Sequence, residues 1–119
     1  MKISVGTDIE SVQRFKMLIK SKKNLVKNIF FESEYNYAIN KVNSEQTFTG
    51  IWCAKEAVVK SFGQFKVINI RNVEIICSKN CAPKAIIKNF SLEDLKFNIS
   101  ISISHTKEFA TATAILLIK

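Results

Sequence analysis

Three stretches of this chain carry residue types and spacings that could do chemistry. The first is Gly6-Thr7-Asp8-Ile9-Glu10. In an extended strand, residues two apart point to the same side, so Asp8 and Glu10 would share a face. Two carboxylates placed so repel each other unless a cation or a lysine lies between them; otherwise they are solvated acids at a strand end. The second stretch is Trp52-Cys53-Ala54-Lys55-Glu56-Ala57-Val58-Val59-Lys60-Ser61-Phe62-Gly63. On a helical wheel Lys55 falls in the middle of the apolar stripe, where a charge is costly without a partner. Glu56 and Lys60, at i and i+4, share the flank of that stripe. On an exposed helix such a pair is surface decoration worth ~0.3–0.5 kcal/mol. Beside a buried face, and joined by Asp8, it offers hard oxygen ligands plus a cation, a set suited to magnesium and a phosphate. The third stretch is Ser102-Ile103-Ser104-His105-Thr106, with the single histidine of the chain. A histidine and hydroxyls at a strand end form either a phosphate or ribose grip or an ordinary hydrogen-bonded turn.

The elements that must position these residues follow from periodicity. Ile3, Val5, Thr7 and Ile9 alternate with polar or small residues, which predicts a strand. Ser11 to Ile19 predicts a short helix with Phe15, Leu18 and Ile19 inward, and Ser33 opens a second one through Ile39. The longest helix is predicted from Asn43-Ser44 to Gly63. Asn43 with Gln46 resembles a capping box, and Gly63 suits a left-handed position after the last turn. Phe48, Ile51, Trp52, Val58, Val59 and Phe62 lie on one stripe of it. Phe65 to Ile70, Val73 to Ser78 and Lys84 to Lys88 read as strands, joined at Arg71-Asn72 and at Asn80 to Pro83. Ser91 to Asp94 predicts a brief helix. Phe97, Ile99, Ile101 and Ile103 alternate with Asn98, Ser100, Ser102 and Ser104, and Phe109 to Ile118 forms a last strand after a break at His105-Thr106-Lys107. Helices at the front and strands behind predict an α+β fold with a largely antiparallel sheet and one long helix. Both faces of that sheet are rich in small and apolar residues, which points to self-association.

At 119 residues the chain has room for one domain, 1–119, and 47% hydrophobic residues suffice for a core. The single proline and three glycines exclude a low-complexity linker. The longest apolar run, Ala114 to Ile118, is far below the ~20 residues of a membrane span, and Asp8 arrives before a signal-peptide core could form. A cytoplasmic protein is the expectation. Cys53, Cys77 and Cys81 fit a reducing compartment; with His105, Cys77 and Cys81 give fewer ligands than structural zinc needs, and Cys53 reads as a small buried hydrophobe. The net charge of +8 makes acidic partners the default. Arg14, Lys16, Lys20, Lys22, Lys23 and Lys27 form the densest basic run. Only Arg14 and Arg71 are arginines, which argues against a reader of DNA sequence.

Taken in order and at this spacing, Gly6-Thr7-Asp8, the Trp52 to Gly63 segment and Ile103-Ser104-His105-Thr106 resemble the holo-acyl-carrier-protein synthases, the small bacterial branch of the 4′-phosphopantetheinyl transferases. The resemblance runs end to end. It implies transfer of the 4′-phosphopantetheine arm of coenzyme A to a serine of apo-acyl carrier protein, releasing adenosine 3′,5′-bisphosphate and supporting fatty acid biosynthesis. It also implies that Asp8 and Glu56 hold Mg²⁺ on the coenzyme's pyrophosphate, and that Lys60 neutralises charge building on the phosphate oxygens. Glu10 matches a further metal carboxylate of the larger branch. Glu56 and a metal-bound water both stand as acceptors for the serine proton. Ser104, His105 and Thr106 would grip the coenzyme from a neighbouring subunit of a homotrimer. Arg14 occupies the place of a first-helix arginine that meets the acidic carrier protein, and Lys16, Lys20 and Lys23 would add steering.

The chain departs from the family pattern at three points. Ile51 stands where an arginine commonly precedes the aromatic residue of the long helix. Lys41 is alone where several basic residues are usual, and Asn80-Cys81-Ala82-Pro83 replaces a common N-G-x-P turn. The first two bear on the grip of the 3′-phosphate and imply activity with a weaker coenzyme affinity. Two other readings compete. One is an inactive homologue that binds coenzyme A or carrier protein, against which the retained Asp8, Glu56 and Lys60 argue. The other is a basic module for RNA or another polyanion, against which the phenylalanines at core periodicities argue.

Overall fold

A computed structural model of the chain describes residues 1–78, 82–89 and 95–119. The chain runs through β1 (Lys2–Ser11), α1 (Val12–Ser21), α2 (Lys23–Ile29), α3 (Glu32–Ile39) and α4 (Ser44–Phe62). A 3₁₀ turn at Ile70–Asn72 leads to β2 (Val73–Ile76), β3 (Lys84–Ile87), β4 (Phe97–His105) and β5 (Phe109–Ile118). The expected Ser91 to Asp94 helix, and Asn80 and Cys81 of the Asn80 to Pro83 turn, lie outside the described residues.

Among the described residues all strand pairs are antiparallel, as the order of the elements predicts, but the strands split into two sheets. One has the order β1-β5-β4 and the other pairs β2 with β3. In the larger sheet Gly6 lies opposite Ala114, Asp8 opposite Ala112, and His105 opposite Ala110. Small residues therefore line the centre of its inner face. Ala110, Ala112 and Ala114 are fully buried there under Cys53, Ala54 and Ala57 of α4. With so little side-chain volume between them, helix and sheet approach closely; a Cβ built on Gly6 would stand 1.9 Å from the Ala57 carbonyl oxygen and 2.7 Å from the Ser61 nitrogen. On its other side α4 packs Phe48 into an aromatic cluster in which the Phe30 ring lies 5.2 Å from Phe48 and 6.0 Å from Phe15.

Ser11 caps α1 by accepting from the Arg14 N–H at 3.3 Å. Other expectations change. Asn43 makes no side-chain cap on α4, and Gly63 has φ −56°, a right-handed value, with its N–H on the Lys60 carbonyl. The stretch expected as a strand from Phe65 to Ile70 is irregular. Phe65 and Lys66 both donate back to the Phe62 carbonyl, and Ile68 alone is buried before Asn69 opens the 3₁₀ turn. Spaced apolar residues there bury one side of a connection that finds no partner strand. Helix α2 was not legible in the sequence, because Val26 and Ile29 are its only buried residues.

Lys55 has the partner its position demands. Its Nζ donates to Glu34 Oε1 and to the Val73 carbonyl, both at 2.7 Å, and both side chains are 0% exposed. Glu34 also accepts from the Phe31 N–H at 2.7 Å and the Ile75 N–H at 2.8 Å. Burial pulls the Lys55 ammonium below the ordinary lysine value, with the Glu34 charge opposing. Glu74 reaches Lys88 across the smaller sheet at 2.6 Å and accepts from the Ser33 hydroxyl at 2.6 Å.

Gly6→Ala is expected to destabilise the fold by about 1–3 kcal/mol or more, because the added methyl meets helix backbone rather than a movable side chain. The urea midpoint measures this; an unchanged midpoint would mean that β1 and α4 are not in close contact.

Candidate active site

Strand β1 and helix α4 together build the site. Asp8 points to the helix side of its strand, two residues beyond the Gly6 contact, while Glu56 and Lys60 come from the facing helix. Lys60 does not turn to Glu56 within its own helix. Its Nζ reaches across to the Thr7 carbonyl at 2.9 Å and to Asp8 Oδ1 at 3.3 Å. The Thr111 hydroxyl donates to the Asp8 carbonyl at 2.8 Å and fixes the backbone from the far side. Asp8 Oδ2 is buried without a hydrogen-bond partner.

The electrostatics are those of an anionic site short of a cation. Burial first, then the charge of Asp8, pushes the Glu56 carboxyl above the usual carboxylate value; Lys60 opposes this and Glu10 adds to it. The Cys53 thiol, behind the same carboxylates, is pushed up to about 12 by burial and by Asp8 and Glu10. It donates to the Ala110 carbonyl at 3.4 Å and stays protonated, a core residue as its place in the helical pattern suggests. An orphaned buried carboxylate oxygen beside a second, destabilised carboxylate fits a hard divalent cation. Magnesium takes one or two protein carboxylates and completes its shell with water and phosphate. Among the described residues, no group of three or more acidic, histidine or cysteine side chains is placed to hold a metal ion; the charge of Glu10 adds to that around Glu56.

The hydroxyls and the histidine of the third motif stand elsewhere. His105 lines a cavity of 210 Å³ with Tyr37, Gly50, Ile51, Cys77 and Ile103, and neither Asp8, Glu56 nor Lys60 reaches it. Gly50 lets α4 approach β4 beside that cavity, since a Cβ there would stand 2.9 Å from Ile103. Ser104 lies on the opposite, outer face of β4. The Thr106 hydroxyl is used within the β4–β5 turn, accepting from the Glu108 N–H at 3.2 Å and the Phe109 N–H at 3.1 Å. Ile51, in the place of a family arginine, is a core residue at 2% exposure.

Helix α1 bounds an open groove of 600 Å³ that runs from Glu10 past Arg14, Phe15, Met17 and Leu18 to Trp52. Arg14 therefore shares a concavity with the edge of the acidic site. Lys16 faces a second one, with Asn43, Glu45 and Lys107, while Lys20 and Lys23 are exposed. The residues that sequence reasoning missed are Gly6, as the contact that seats Asp8, and Glu34. The burial forced on Lys55 called for an acid, but nothing local says which one.

A small α+β fold with this acidic cleft has relatives. The family model of the 4′-phosphopantetheinyl transferase superfamily matches residues 4–114, and the chain belongs to that family. It is an enzyme of the phosphopantetheinyl transferase class. It is 33% identical to the holo-[acyl-carrier-protein] synthase of Clostridium botulinum (strain Eklund 17B / Type B), over 94% of each chain. To the synthase of Caldicellulosiruptor saccharolyticus it is 36% identical, covering 97% of this chain and 96% of that protein. The fold matches the ACPS–CoA complex of Chronobacterium ammoniagenes with a TM-score of 0.86 at 21% identity, over 100% of this chain and 99% of that one. The Bacillus anthracis synthase, solved in complex with CoA (3′,5′-ADP), matches with a TM-score of 0.75 at 25% identity, over 95% and 94% of the two chains. No helix among the described residues is long and apolar enough to cross a membrane.

Because the folded-state pKa of Glu56 lies above its unfolded value, its ionisation costs stability as pH rises through that interval. Without metal, Glu56→Gln is expected to melt higher than the parent at pH 7, with the difference vanishing near pH 4. Thermal unfolding at the two pH values checks this, and an equal or lower melting temperature at pH 7 would contradict the electrostatic reading.

Proposed function

We propose that this enzyme is a holo-acyl-carrier-protein synthase. It would transfer 4′-phosphopantetheine from coenzyme A to the serine hydroxyl of an apo-acyl carrier protein, leave adenosine 3′,5′-bisphosphate, and so support fatty acid biosynthesis. The observation that carries the reading is the Asp8 carboxylate, with one oxygen on Lys60 and the other buried and unpartnered beside Glu56. Asp8 and Glu56 would hold Mg²⁺. When bound, the ion supplies charge neutralisation on the pyrophosphate of coenzyme A. Lys60, half-exposed at the mouth, turns its ammonium toward the phosphate oxygens that gain charge as the bond to the leaving nucleotide breaks. The proton of the attacking hydroxyl would go to Glu56 or to a water beside it, the two acceptors the sequence leaves open.

His105 and its cavity would receive the nucleotide end of the coenzyme, and Ser104 and Thr106, which do not line that cavity, would meet the coenzyme beyond it. Since that cavity and the Asp8 cleft do not meet within one chain, the reading requires a second copy to bring its His105 to the cleft, as in a homotrimer. Support comes from the outer face of β1 and β5, where Ile3 (70% exposed), Val5 (60%), Ile9 (65%) and Ile115 (49%) form an apolar strip. The groove beside Arg14 would take the acidic carrier protein, with Lys16, Lys20 and Lys23 steering its approach.

Intact mass of an apo-acyl carrier protein incubated with coenzyme A, Mg²⁺ and the enzyme should rise by one phosphopantetheine group, and EDTA should prevent it. Asp8→Asn and Glu56→Gln should each abolish the gain while leaving the chain folded. Transfer at the parent rate by both variants in EDTA would remove the metal assignment. Arg14→Glu should raise KM for carrier protein about tenfold or more, the loss of a charge pair at an interface, with little change for coenzyme A. An equal loss for both substrates would move Arg14 out of the docking groove. In sedimentation, Val5→Glu should reduce the assembly to monomers, and a parent that is already monomeric would overturn the shared site.

A further inference from the structure

The buried pair Glu34–Lys55 lies away from the cleft and takes no part in the chemistry above. Its position relative to the His105 cavity gives it a different role. Three of the elements around that cavity meet at the pair. Tyr37 stands one turn beyond Glu34 on α3, and Gly50 and Ile51 stand about one turn before Lys55 on α4. Cys77 and Ser78 follow β2, whose Val73 carbonyl accepts from Lys55 and whose Ile75 N–H donates to Glu34. A single ion pair thus ties together the α3, α4 and β2 walls. Its four hydrogen bonds, at 2.7, 2.7, 2.7 and 2.8 Å, use both carboxylate oxygens and have no exposed atom through which water could substitute.

We propose that Glu34 and Lys55 are positioning residues for coenzyme binding, setting the spacing of the three walls so that the cavity accepts the adenosine bisphosphate end. This rests on the reading of the His105 cavity given above. Glu56 is anchored independently, by the contact of Gly6 with Ala57 and Ser61, so loss of the clamp should alter the cavity and leave the cleft in place. A packing role alone predicts a different outcome. A buried charge pair replaced by neutral residues recovers stability, because no unpaired charge remains buried. A spacing role does not recover, because methionine cannot bridge α4 to β2 and α3.

The test compares the parent with Glu34→Gln, Lys55→Met and the double variant, as the assembled full chain. Adenosine 3′,5′-bisphosphate binding is read by calorimetry, transfer by steady-state kinetics and stability by thermal unfolding. Lys55→Met is expected to lose the most in melting temperature and the double variant to regain much of it. The double variant should nevertheless bind the nucleotide at least about tenfold more weakly, with KM for coenzyme A rising in step and kcat within about threefold of the parent. Recovery of affinity together with stability would overturn the proposal and leave the pair a packing element. A fall in kcat with unchanged nucleotide affinity would also overturn it, placing the pair's action at Glu56. A parent that carries out transfer but binds no adenosine 3′,5′-bisphosphate would overturn the proposal alone. A parent that does neither would overturn the functional reading with it.

Discussion

The site depends on how closely α4 lies on the sheet. A helix normally keeps its distance from a sheet because side chains of both fill the space between them. Here the interface is built from Gly6, Ala110, Ala112 and Ala114 on one side and Cys53, Ala54 and Ala57 on the other. The helix therefore rests nearly on the backbone of β1. At that separation Lys60 reaches both the Thr7 carbonyl and the Asp8 carboxylate, and Glu56, through its burial first and the Asp8 charge second, resists ionisation. Larger core residues would stabilise more by area, yet they would push the two halves of the site apart.

The close interface leaves the other side of α4 to supply the bulk of the core. Phe15, Phe30 and Phe48 do so, and they leave Lys55 buried among rings, with Phe31 4.8 Å from its ammonium. The lysine is tolerable there because the Glu34 carboxylate and the Val73 carbonyl both accept from it. Helix α4 thus carries two quite different charges five residues apart, Lys60 at the acidic cleft and Lys55 in the core. Lys60 is half in solvent, whereas Lys55 is fully buried.

The chain also divides its polar equipment between two places. Carboxylates and Lys60 gather at one flank of α4, while His105 opens into a cavity lined by the beginning of the same helix. The exposed apolar strip of the outer sheet face gives a physical reason for copies of the chain to associate, and association is what would unite the two halves. On the proposed reading the acidic partner would meet the basic residues of α1 and α2, of which Arg14 shares a groove with Glu10 at the edge of the cleft.

The sequence by itself determined much of this. Period-two alternation marked β1 and β4, and the long amphipathic stripe marked α4, because burial on one face imposes those spacings directly on the chain; the β run from Phe109 to Ile118 marked β5. The types and order of Asp8, Glu56 and Lys60 were enough to suggest a magnesium and phosphate chemistry and to show the family resemblance. A charge in the middle of the α4 stripe required a buried partner. Only the tertiary structure decided that the partner is Glu34, that Lys60 turns to Asp8 rather than Glu56, and that His105 stands apart from the carboxylates. Phe65 to Ile70 has the apolar content of a strand, but whether such a segment pairs depends on a neighbour distant in sequence. Local periodicity records which way a side chain must face; which distant group it faces is set by how closely the elements pack, and here that was set by a glycine and three alanines.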